Sequence, residues 1–202
     1  MFNIDNKIEH YLDEKQLEKL MYVLIHDGNR PVCSIVMYLL STGARLNEAL
    51  QAKWKHIDRR QKVWRIPSEI NKSKKMRSVP LNDTALAILD DLDTEGRHDH
   101  LFVNLKTGKP YTPIHKVFRR LRGEAGLPHL RIHDLRHAFA SYLISNNRSL
   151  FEVQQILGHS SPIVTQRYAH LSTKALQDAT SAASDVITDA MPEFTGGRHG
   201  KS

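Results

Sequence analysis

The chain has little of what marks a secreted, membrane-bound or metal-dependent protein. Its 202 residues contain one cysteine, Cys33. An internal disulfide is therefore excluded, and a reducing compartment such as the cytoplasm fits. No apolar run approaches the ~20 residues of a membrane span. The start, Met1-Phe2-Asn3-Ile4-Asp5, lacks the basic and apolar regions of a signal peptide. No group of carboxylates is spaced to hold Mg²⁺. Internal repeats and low-complexity blocks are also missing. Cys33 sits among Val32, Ile35 and Val36 and reads as core filling rather than as a nucleophile.

Acidic residues are outnumbered. There are 29 Lys and Arg against 22 Asp and Glu, a formal net charge of +7. This excess favours an anionic partner, most simply nucleic acid. A hydrophobic share of 40% and a charged share of 25% describe a globular chain that fits one medium domain, or one domain with a tail.

The pattern is mostly helical. Asp13 and Gln16 form a capping box ahead of Leu17, Leu20, Met21, Leu24 and Ile25, which repeat at helical spacing up to Gly28. Pro31 starts a second helix with Val32, Ile35, Val36, Leu39 and Leu40 on its inner face, and Gly43 suits its C-terminal cap. Arg45 then emerges on a short bend before a helix that contains Glu48. Residues 54–57, 62–66 and 76–79 read as a small antiparallel meander, with residues 71–75 as its second turn. Helices return at residues 83–92, after Pro113, and at residues 133–144; residues 93–101 read as a loop. Ser149 and Glu152 make another capping box, and Gly158 closes that helix. Ser161-Pro162 starts a short helix that carries Tyr168. An Ala- and Ser-rich helix spans residues 172–190, ahead of a flexible tail. The expected fold class is thus mainly α with a small three-stranded antiparallel sheet (α+β).

His133, Arg136 and His137 fall at i, i+3 and i+4, on one side of a helix, with Leu135 and Phe139 on the opposite, buried side. A zinc pair at His133 and His137 is the competing reading. Asp134 stands where a HExxH motif has glutamate, and Arg136 between the histidines would repel a cation. Arginine with histidine suits a phosphate instead, because the guanidinium fork binds two oxygens and histidine relays a proton. A second arginine, Arg45, would help stabilise a pentacoordinate phosphorus dianion. The Tyr168 phenol, with a pKa of ~10 when unperturbed, becomes a nucleophile only among cations. Arg167, His170 and His159 lie near it in sequence. Lys72, Lys74, Lys75 and Arg77 make a basic hairpin tip suited to a DNA groove, and one lysine there could protonate a leaving 5′-oxygen.

In this order the motifs resemble the catalytic domain of the tyrosine recombinases, the phage-integrase family. They are Thr42-Gly43-Ala44-Arg45-Leu46-Asn47-Glu48; Lys72 eight residues before Pro80 in Arg77-Ser78-Val79-Pro80-Leu81; His133-Asp134-Leu135-Arg136-His137; Leu157-Gly158-His159-Ser160-Ser161; and Tyr168. The resemblance covers roughly residues 12–175, with residues 1–11 as a linker and residues 176–202 as a C-terminal helix and flexible tail that could pack on a neighbouring subunit. It implies a fold of the DNA breaking-rejoining type and a set of roles. Arg45 and Arg136 would clamp the scissile phosphate. Lys72 would protonate the departing 5′-hydroxyl, with Lys74 and Lys75 as lower-ranked competitors. His133 would act as general acid/base, His159 would hydrogen-bond the phosphate, and Tyr168 would form a 3′-phosphotyrosyl link. Glu48 would support Arg45, His137 would buttress the helix, and Lys74, Lys75 and Arg77 would contact DNA. The implied reaction is site-specific recombination or integration with no cofactor or metal. The implied partner is double-stranded DNA, bound by a tetramer, with a monomer in its absence. The alternatives are a type IB topoisomerase-like relaxing activity and a DNA-binding module of the same fold that has lost catalysis. Family members usually carry an N-terminal helical domain, for which residues 1–11 are too short, so a catalytic fragment or a short single-domain recombinase is expected.

Overall fold

The computed structural model describes residues 12–71, 73–159 and 161–166. Lys72, Tyr168 and the expected helix at residues 172–190 lie outside the described residues.

Two helices packed against each other open the fold. The first, α1 (Glu14–His26), starts at Asp13, whose carboxylate accepts from the Gln16 amide at 2.8 Å while Gln16 returns a bond to the Asp13 amide at 3.1 Å. Asp27 in extended conformation, rather than Gly28, ends it. The second, α2 (Arg30–Thr42), is the core helix. Val32, Cys33, Ile35, Val36, Tyr38 and Leu39 are all buried, and burial pushes the Cys33 thiol up to about 11. A buried thiol held this far from ionising is a small hydrophobe, as its sequence setting indicates. Gly43 caps α2 in the left-handed region, φ +63°. The short α3 (Leu46–Leu50) follows at once.

The sheet has the order β1-β2-β3, made of β1 (Ile57–Asp58), β2 (Val63–Ile66) and β3 (Arg77–Pro80), with all pairs antiparallel. The meander is therefore present, but its first strand is not where the pattern placed it. Residues Trp54–His56 form a 3₁₀ turn and only two residues pair as β1. The Trp54 amide donates to the Asp99 carbonyl, and its indole N–H donates to Thr94 Oγ1. These bonds draw the segment toward residues 94–99 and away from β2. On β2 and β3, Trp64 pairs with Val79 and Ile66 with Arg77, all four with their side chains turned inward. Trp64 and Phe102 both pack against Tyr38, with ring centroids 5.5 Å apart in each case. Pro80 closes β3 on the sheet edge, where its missing N–H costs no ladder bond.

Next comes α4 (Asp83–Asp90), two residues shorter than the pattern suggested. A second sheet pairs β4 (Val103–Asn104) with β5 (Lys109–Pro110); strands of two residues leave no alternation to read in the sequence. Then come α5 (His115–Glu124), α6 (Ile132–Ser145), α7 (Leu150–Leu157) and α8 (Pro162–Gln166). Ser149 and Glu152 form the expected capping box of α7, and Gly158 ends it at φ +64°. A small satellite core of Ala140, Ile144, Val153 and Leu157 joins α6 to α7.

Candidate active site

Two clefts open side by side. One, of about 520 Å³, is lined by Arg45, Asn47, Glu48, Gln51, Glu69, His115, His133 and Arg136, among others. The other, of about 630 Å³, is lined by Lys75, Arg77, Gln155, Gly158 and His159, among others. Of the sequence-derived residues, Arg45, Glu48, His133 and Arg136 thus line the first cleft, and Lys75, Arg77 and His159 the second. Lys74 and Lys75 are exposed at the β2–β3 turn. That turn is built on buried Asn71, which donates to the Lys75 carbonyl at 2.6 Å, and Lys74 bends it at φ +51°.

Arg45 sits at the N-cap of α3 because Gly43 turns the chain there. The same Gly43 lets α6 approach. A Cβ at residue 43 would sit on the Phe139 ring and 2.8 Å from Leu157 Cδ2. Glu48, fully buried, accepts from the Arg45 backbone amide and from the Arg45 guanidinium, each at 2.9 Å. The carboxylate closes the first turn of α3 and holds the arginine side chain in the same contact.

Arg136 is not on an open face. Only 4% of it is exposed, and it donates to the Gly43 carbonyl at 2.6 Å and the Leu157 carbonyl at 2.7 Å. It reaches the cleft from below, as part of its floor. Helix periodicity alone placed it beside the histidines; the packing of α2 and α7 against α6 sinks it beneath them.

His133 remains at the surface of the cleft, its ring edge-on to that of His137 at 4.7 Å. Partial desolvation first, and the nearby Arg136 charge second, hold its pKa below the ordinary value. The ring is therefore neutral near pH 7 and able to take a proton. Asp134 anchors the start of α6 by accepting from the Arg131 amide at 2.8 Å and its guanidinium at 2.7 Å. His133 and His137 stand as a pair: among the described residues no group of three or more His, Cys, Asp or Glu is arranged to hold a metal ion. His159 Nδ1 shares a hydrogen bond of 2.9 Å with buried Thr165 Oγ1, which fixes the ring against α8.

Arg77, which the resemblance assigns to DNA contact, does not face solvent. Its side chain is 6% exposed and points inward from β3, donating to Glu48 Oε2 and to the Ile156 carbonyl, each at 2.7 Å. Strand alternation turns it inward with Val79, and the carboxylate of Glu48 compensates its charge. Burial pulls its guanidinium below the ordinary range, Glu48 opposing this and Arg45 adding to it. His115 and Gln51 line the first cleft although no motif singled them out. Only the tertiary approach of α5 brings His115 there, so the sequence carries no signal for it.

The family model described as the phage integrase family matches residues 10–175. The integrase of Salmonella phage P22 is 29% identical over 94% of this chain and 51% of its own length. The tyrosine recombinase XerC of Staphylococcus epidermidis is 30% identical over 85% of this chain and 62% of its own. Among solved structures, the XerH site-specific recombinase bound to palindromic difH substrate matches at TM-score 0.67 and 29% identity, over 87% of this chain and 54% of that one. The catalytic domain of bacteriophage HP1 integrase matches at TM-score 0.65 and 26% identity, over 85% and 93%. The fold is that of tyrosine recombinase catalytic domains, and the chain spans about half to three-fifths of the length of the first two curated relatives. Among the described residues no helix is long and apolar enough to cross a membrane. With the match running through all of the described residues, the chain belongs to the phage integrase family.

Proposed function

We propose that the chain is the catalytic unit of a site-specific DNA recombinase, acting in the cytoplasm of a bacterial cell on double-stranded DNA. One observation carries the reading: Arg45, His133 and Arg136 line a single cleft. Two fixed cations beside a neutral histidine suit a phosphodiester passing through a dianionic transition state. The two guanidiniums supply charge that a divalent ion supplies in other phosphoryl-transfer sites.

In the proposed reaction Tyr168 attacks phosphorus while Arg45 and Arg136 neutralise the equatorial oxygens. The phenolic proton passes to His133. The bond from phosphorus to the 5′-oxygen breaks, and Lys72 gives that oxygen a proton. His159 donates to the phosphate from the second cleft. A 3′-phosphotyrosyl ester results. It retains the energy of the phosphodiester, so a 5′-hydroxyl from another strand displaces tyrosine without ATP. The working assembly is a tetramer on DNA and a monomer without it.

The test is a covalent-adduct assay. Nicked duplexes tiled from the DNA that flanks the gene are mixed with protein in chelator and run on a denaturing gel beside Tyr168→Phe. A shifted band in wild type alone is expected. An adduct that survives Tyr168→Phe refutes the nucleophile, and DNA binding without any adduct favours a binding module that has lost catalysis.

A further inference from the structure

We propose that Arg77 is a positioning residue that locks Arg45 to the loop bearing His159, and so joins the two clefts into one site; this rests on the function proposed above. Three observations meet in its side chain. One terminal nitrogen donates to Glu48 Oε2, whose other oxygen holds the Arg45 guanidinium. The second donates to the Ile156 carbonyl in the last turn of α7. Between these ends the chain of Arg77 lies over Gly158, where a Cβ would sit on Arg77 Cδ and 2.9 Å from its Nε. Gly158 is the residue before His159.

The end of α7 explains why an arginine is needed. A helix leaves its last carbonyls without intrahelical donors. Here the Ile156 carbonyl takes Arg77 and the Leu157 carbonyl takes Arg136. Two cations at a helix C-terminus also oppose its negative dipole end. Arg136 ties this turn to Gly43, two residues before Arg45, and Arg77 ties it to Glu48, three residues after. The loop that carries His159 is thus held to both sides of Arg45. Arg77 stands on β3, the strand that follows the turn containing Lys72, so the same side chain fixes the strand from which that turn springs. A lysine keeps the charge but has one ammonium where two separated acceptors need a fork.

The experiment has two arms on the full chain. In the first, ¹⁵N-labelled arginine and histidine side chains are followed by NMR, which needs no chemistry. Arg77→Met should shift the Arg45 guanidinium and the His159 ring together and leave unmoved Arg59, which pairs with Asp90 and Glu95 outside both clefts. Glu48→Gln should shift Arg45 far more than His159. In the second arm, adduct formation and DNA affinity are measured on the nicked duplexes. Arg77→Met should slow the adduct about 100-fold, the scale of a 1 Å misplacement, with Kd changed less than about threefold because phosphate contacts dominate binding. Arg77→Lys should recover thermal stability but not the adduct rate, and it replaces Arg77→Met if that variant does not fold. Adduct formation at the wild-type rate in either variant overturns the proposal, as does a His159 resonance that ignores Arg77. A wild type that forms no adduct, with the shared NMR shifts intact, refutes the proposed function and leaves the Arg77 link standing.

Discussion

Replacing Gly43 with alanine tests how the first cleft is built. The position combines a left-handed backbone, φ +63°, with direct cover by the Phe139 ring and Leu157 Cδ2. Holding an alanine in that backbone region costs about 1–2 kcal/mol. Forcing a methyl into a packed site adds about 1–3 kcal/mol. Together these predict a loss of about 2–5 kcal/mol, or roughly 10 °C in Tm at the middle of that range and 2–4 °C per kcal/mol for a chain of this size. Gly96→Ala is the control. It shares the backbone strain at φ +74° but meets nothing within 4 Å, so it should lose only about 1–2 kcal/mol. Scanning calorimetry of both variants isolates the steric part. Equal Tm losses would refute the packing of Phe139 over Gly43. The consequence extends to the site, because the Gly43 carbonyl accepts from Arg136 and Phe139 lies one turn beyond it on α6. Displacing that ring should therefore slow adduct formation beyond what the loss of folded protein accounts for.

Two further outcomes follow from the electrostatics. An NMR titration should place the His133 pKa below the ordinary ~6.5, and Arg136→Gln should raise it, since Arg136 is the leading charge that opposes protonation; a His133 pKa at or above the ordinary value would remove the argument for a neutral proton acceptor. The Arg120 hydrogen bonds, with the Asn29 amide second, hold the Asp27 carboxyl at about 2, joining the α1–α2 turn to α5. That depressed pKa contributes stability above pH ~4 that is lost as pH falls toward 2. Arg120 is half exposed, so solvent screening limits the contribution to about 1 kcal/mol. Urea melts of Asp27→Asn and wild type should differ by that amount at pH 7 and converge near pH 2; a constant gap would show that Asp27 acts by packing alone.

What the sequence by itself determined was local. The capping boxes at Asp13 and Ser149, the proline start of α2 and the glycine caps at Gly43 and Gly158 each depend on a few neighbouring residues, and the structure forms all of them. Inner faces followed where apolar residues at helical spacing are buried together, although Ile25 of the α1 repeat is 56% exposed. The motif order that marks the family was equally local. The short strands and side-chain direction were not. Trp54 left the expected strand for bonds to Thr94 and Asp99, 40 or more residues away. Arg77 and Arg136, which read as surface cations, are buried because carbonyls and a carboxylate from distant segments meet them: Ile156, Leu157 and Gly43 for the carbonyls, Glu48 for the charge. Sequence spacing sets which face a side chain shares with its neighbours in the chain. Whether that face meets solvent, a carbonyl or another charge is set by the packing of other elements against it, and that packing decided which arginines line the cleft and which hold it together.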